Sequence, residues 1–198
     1  MTRRSLLCLP ASLLASTGTM SVPIQHIFDT RANASREQLD RFRQRIWPEA
    51  VNDFSRCGIQ FQTKLTESDV GRSPAGSPII RNLDRAAINL VITRNIPLRW
   101  GRGRGVTGVT TQIDGCPVCM IALDFAHTHE IPFFSVNTCV HELLHVLTGD
   151  VFERRPKGLS GAMREARIDA YATRLWLFHD GAEIRRATNL YLNRLRAY

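Results

Sequence analysis

Residues 140–147 read Val-His-Glu-Leu-Leu-His-Val-Leu, and no other stretch constrains the fold as strongly. Val140, Leu143, Leu144 and Leu147 give this segment the apolar surface of a buried helix. Residues four apart on a helix lie one turn apart on the same face, so both imidazoles of His141 and His145 reach one ion. Glu142 is adjacent, placed to contact a metal-activated water without being a ligand. The helix is expected to run from a cap at Ser135 to a stop at Gly149.

Two histidines do not hold a catalytic zinc; a third protein ligand must come from elsewhere. Glu165 is the best candidate, in a segment (Arg164 to Ala172) that reads as a helix capped by Ser160 and running to Gly181. Asp169 lies one turn beyond Glu165 on the same face, placed to accept a hydrogen bond from a ligand histidine's far ring nitrogen. The rivals are weaker. Asp150 binds only if the chain doubles back at Gly149. His179 is roughly 21 Å further along a straight helix than Glu165, so the two cannot share an ion. His127 and His129 precede the helix and suit a cleft rim better than a ligand set.

His141, Glu142, His145, Glu165 and Asp169 together resemble the zincin metallopeptidases of the gluzincin branch, the group that includes thermolysin. The likeness covers residues 135–172 at motif level. It implies one catalytic Zn2+ held by His141, His145 and Glu165, with Glu142 as general base and Asp169 behind a ligand histidine. It implies hydrolysis of peptide bonds in a protein or peptide substrate, with the strand Met120 to Phe125 holding an extended peptide at the cleft edge. The metzincin branch fits less well, since Thr148 and Val151 stand where its glycine and third histidine belong. The chain is too short for thermolysin's C-terminal domain, so that enzyme's proton-donating histidine has no counterpart to assign. Two other readings stand beside this one. One is a deformylase-like zinc amidase with Cys116 or Cys119 as ligand. The other is a zincin-fold binding module without turnover, which the intact Glu142 argues against.

The rest of the chain reads as strand, helix, several strands, then helices. That is an α+β plan: a small mixed or antiparallel sheet with the helices on one side. Val22 to Phe28 is a strand. Ser35 to Cys57 is a helix with a Ser35–Gln38 capping box, a kink at Pro48 and a stop at Gly58. Ile59 to Leu65 alternates as a half-buried strand with Ile59, Phe61, Thr63 and Leu65 inward. Residues 66–86 read as an irregular loop, Ala87 to Ile96 as a strand, and Thr107 to Ile113 and Met120 to Phe125 as two more joined through a CPVC turn. Everything after Ser135 reads as helical. The Gly101, Gly103, Gly105 run lacks the helix and Gly-Lys-Ser/Thr of a phosphate loop and reads as a turn.

With 198 residues, the chain suits one domain over residues 19–198 behind a leader at residues 1–18. Arg3 and Arg4 followed by an apolar stretch and small residues fit an export signal, and the twin-arginine start fits the route for folded cargo. The mature protein is then periplasmic or extracellular, keeping Cys57, Cys116, Cys119 and Cys139, with at least one disulfide expected among them. No apolar run reaches the roughly 20 residues of a membrane-spanning helix. The net charge of +8 comes from scattered arginines rather than a basic stripe, and no nucleic-acid partner is expected.

Overall fold

The computed structural model describes residues 18–72, 78–96, 107–124, 128–131, 134–149, 161–175 and 180–196. The leader, the Gly101–Gly105 run, Asp150, Ser160, His127 and His179 lie outside the described residues, as does the His129 side chain.

Five strands form a mixed sheet in the order β2 (Ile59–Ser68), β1 (Met20–Asp29), β5 (Ile88–Thr93), β7 (Cys116–Ala122), β6 (Gly108–Ile113). The first four run parallel, and β6 pairs antiparallel with β7 at the far edge. The two central strands β5 and β7 are buried at every position, which accounts for their near-continuous apolar runs. At the outer edge β2 buries Ile59 and half-buries Phe61, whereas Leu65, expected to face inward, is 67% exposed.

Helices cover one face of the sheet, as an α+β plan requires. Ser35 caps α1 (Arg36–Arg41), with both halves of the capping box formed by Gln38. The helix then widens into a π-turn over Phe42–Ile46, where the Trp47 N–H donates to the Phe42 carbonyl, before α2 (Trp47–Ser55). Pro48 therefore follows a widened turn, which accommodates the ring and missing N–H of a proline inside a helix. Gly58 closes the segment at φ +70°. Trp47 and Phe54 pack onto Phe61 at 5.4 and 5.2 Å between ring centroids. The other face of the sheet buries Ile27, Val91, Val118, Met120 and Ala122, with Val109 and Ile113 against them.

Three sequence expectations are corrected. Residues 66–86 contain a short hairpin of β3 (Val70–Arg72) and β4 (Pro78–Ile80). The turn between β6 and β7 is Asp114-Gly115, both at positive φ (51° and 79°) as a two-residue type I′ hairpin demands, and CPVC lies inside β7. Residues after Ser135 are not all helical. A second hairpin, β8 (Thr128–Ile131) with β9 (Phe134–Asn137), extends past Ser135, so the cap of α3 (Thr138–Leu147) is Asn137. Asn137 accepts from the Cys139 N–H at 2.8 Å and donates to the Ile46 carbonyl at 2.8 Å, tying the start of α3 to the π-turn. The C-terminal part comprises α4 (Gly161–Thr173) and α5 (Ala182–Arg196).

Candidate metal centre

Every residue of α3 is buried, including His141, Glu142 and His145. The helix stops at Thr148 and Gly149, the latter at φ +80° where glycine costs no Cβ clash. Its apolar side enters the core through Leu143, Leu144, Val146 and Leu147. The two histidines are presented to α4, whose Ile168 and Ala172 are buried in the same core.

From α4 Glu165 reaches across. Its Oε2 lies 3.2 Å from His141 Nε2 and 3.6 Å from His145 Nε2, and the two ring nitrogens are 3.2 Å apart. Two ligands on a tetrahedral zinc at 2.0–2.1 Å each stand about 3.3 Å from one another. The three separations bracket that value, and the donors, two imidazole nitrogens and a carboxylate, are those a catalytic zinc takes. Among the described residues this is the one group of three or more such side chains close enough to hold an ion. Hydrogen bonds from His141 and His145 hold the half-exposed Glu165 carboxyl far below the usual carboxylate range.

The expected companion is in place. Asp169 Oδ1 lies 3.7 Å from His141 Nδ1, the nitrogen that faces away from Glu165, so the aspartate stands behind the ring at slightly more than hydrogen-bond distance. The fold thus brings His141, His145, Glu165 and Asp169 together, with Glu142 beside them on α3.

Glu142, on the same helix, also reaches the sheet. Its Oε2 is 2.6 Å from the hydroxyl of Thr110 on β6, and the same hydroxyl is 3.0 Å from the Glu142 carbonyl. Burial pushes the Glu142 carboxyl up, while His141, His145 and the Thr110 hydrogen bond pull against it. Thr110 went unnoticed in the sequence, as did Gly108. A Cβ on Gly108 would stand 2.6 Å from both Glu142 Cγ and Oε1 and 2.8 Å from Thr138 Cγ2.

The cysteines do not join the group. Cys119 is buried on β7 with its thiol 3.5 Å from the Glu142 carbonyl. Burial raises its pKa strongly, and does the same for Cys139 on α3. The four described cysteines, Cys57, Cys116, Cys119 and Cys139, are buried free thiols, so the structure forms none of the bridges expected among them. Cys116 and Cys119 cannot pair because three residues along a strand separate them by about 10 Å and turn them to opposite faces.

The strand expected at the cleft edge is also corrected. The segment from Met120 lies on β7, between β5 and β6, with both edges paired. Among the described residues, the edge of the sheet beside Glu142 is β6.

No helix among the described residues is long and apolar enough to cross a membrane. Comparison with protein-family models, curated proteins and solved structures returns no match for this chain.

Proposed function

We propose that the protein is a zinc-dependent peptidase, with His141, His145 and Glu165 as ligands and Glu142 as general base. The observation that carries this reading is the convergence of three ligand atoms within 4.8 Å of one another, next to a buried carboxylate that is not one of them. Zinc held there would supply Lewis acidity, lowering the pKa of water toward neutrality and polarising a carbonyl.

The chain's own groups account for the rest. Glu142 is 6% exposed and desolvated, so it holds a proton more readily than a surface carboxylate. That suits a group that takes a proton from water and later passes it to a leaving amine. Asp169 stands behind His141 at 3.7 Å, where a small approach would let it accept the Nδ1–H and fix the ring. The edge of β6, which no other described strand pairs, supports an extended peptide substrate that adds to the sheet through main-chain hydrogen bonds.

The test combines metal analysis with casein digestion. About one zinc per chain is expected, with casein cleavage that a chelator abolishes and zinc restores. Glu142→Gln should keep the zinc and lose most turnover. A protein that takes up no zinc, or a Glu142→Gln variant as active as wild type, overturns the proposal.

A further inference from the structure

Gly108 and Thr110 are two residues apart on β6, so both face α3, while Val109 and Ile113 pack into the cluster on the opposite side of the sheet. Both meet one side chain, that of Glu142. A hydroxyl carries one proton. Thr110 Oγ1 stands 2.6 Å from Glu142 Oε2 and 3.0 Å from the Glu142 carbonyl, and that carbonyl is also within reach of the Cys119 thiol at 3.5 Å. The carboxylate is the nearer and more strongly charged acceptor, so the Thr110 proton goes to Oε2. Beyond it, the strand comes so close that only glycine fits: a side chain on Gly108 would occupy the space of Oε1.

We propose that Thr110 is a positioning residue for the base Glu142, anchoring Oε2 while Gly108 leaves room for Oε1 as the proton-accepting oxygen. This rests on the reading of Glu142 as base. It adds that the base is aimed by the edge strand of the sheet rather than by its own helix alone. A buried carboxylate three bonds from its backbone has rotamers to choose among, and a fixed hydrogen bond removes that freedom before the reaction begins. The strand's outer main-chain edge is not involved, so loss of the hydroxyl should act on turnover and leave substrate binding alone.

The experiment compares Thr110→Val, which keeps the shape and removes the donor, with Thr110→Ser, which keeps the donor. With casein as substrate, Thr110→Val should lower kcat about 10- to 100-fold, the usual range for losing a group that orients a functional side chain. KM and zinc content should stay near wild type, and Thr110→Ser should recover most of kcat. In a Glu142→Ala background, Thr110→Val should add no further loss, because its effect passes through the missing carboxylate. A readout without turnover is the side-chain carboxyl 13C resonance of Glu142, assigned by its disappearance in Glu142→Gln. It should move in Thr110→Val, return in Thr110→Ser, and move in Gly108→Ala. An unchanged kcat in Thr110→Val overturns the proposal, as does an equal loss in the Glu142→Ala background or an unmoved resonance. If Glu142→Ala itself retains full activity, the base reading fails instead. If wild type leaves casein intact, the resonance decides alone whether Thr110 holds Glu142.

Discussion

His141 Nε2 and His145 Nε2 stand 3.2 Å apart on neighbouring turns of α3, with Glu165 Oε2 at 3.2 and 3.6 Å from them. Such a cluster is already shaped for an ion, so little reorganisation opposes binding. Each ligand variant, His141→Ala, His145→Ala or Glu165→Ala, should lower zinc affinity by well over tenfold. Zinc should also raise the unfolding midpoint of wild type, with the logarithm of free zinc once that exceeds Kd, and raise that of the variants far less. Calorimetric titration together with thermal unfolding at several zinc concentrations measures both. Glu165→Ala binding zinc as tightly as wild type would remove Glu165 from the ligand set.

A pH effect arises away from the metal. His26 is buried on β1 against Trp47, Phe42 and Phe28, with ring centroids 4.4, 5.8 and 6.5 Å away, and its Nε2 has no hydrogen-bond partner among the described residues. Burial lowers its pKa from 6.5 to about 4. Between those values the unfolded chain binds a proton that the folded chain does not. The neutral ring's stabilisation is therefore complete above about pH 6.5 and is lost as the pH falls towards 4. From pH 7 to pH 5 this amounts to about 2 kcal/mol of stability. Urea unfolding at the two pH values, for wild type and His26→Leu, isolates the contribution. An equal loss in His26→Leu would show that the acid sensitivity comes from other groups.

What the sequence made legible was local. The Ser35 capping box, the Gly58 and Gly149 stops and the four-residue spacing of the histidines are each written within a few residues of where they act. Glu165 and Asp169 were found because helical spacing fixes which side chains share a face. The errors came where another strand decides. Ser135 is a sound helix cap by composition, but its backbone is taken by the β8–β9 hairpin, and Asn137 caps instead. The Asp114-Gly115 turn carried its own signal, overshadowed by the more conspicuous CPVC beside it. Thr110 had none: its partner lies 32 residues away, and the contact exists only because β6 folds back along β7 to the edge above α3.

The thiols give a separate check on the core. Burial raises the pKa of Cys57 to about 11 and pushes those of Cys119 and Cys139 up strongly. Thiolate is the reactive form, so these groups should resist iodoacetamide at pH 8 in the folded protein. Full alkylation of Cys57, Cys116, Cys119 and Cys139 is expected in guanidinium without added reductant. Peptide mass spectrometry reads each site separately. A cross-linked pair among the four would contradict the free thiols of the structure and restore the bridge expected of an exported chain.

One side chain ties α5 to the start of β1 and the end of α2. Arg185 on α5 donates from Nη1 to the carbonyls of Cys57 and Gly58, at 2.9 and 3.3 Å, and from Nη2 to the Gly18 carbonyl at 2.8 Å. The first two carbonyls lie just past the end of α2, where the helix dipole also favours a cation. Gly58 also accepts from the Met20 N–H at 2.8 Å, so the same point joins the start of β1 to the end of α2. Arg185→Met keeps the apolar stem and removes the donors. With the guanidinium partly exposed, its loss should cost about 1–3 kcal/mol. Just before α5 the chain comes so close that a Cβ on Gly181 would fall 2.3 Å from both Cys57 Cβ and Cys57 Sγ, so Gly181→Ala should destabilise through a clash rather than a lost hydrogen bond. Urea midpoints distinguish the two causes. Replacing Cys57 with glycine removes both side-chain atoms that the Gly181→Ala methyl would strike, so it should relieve that variant and leave Arg185→Met as unstable as before. Relief of Arg185→Met instead would mean that the guanidinium acts by packing on Cys57 and not by capping α2.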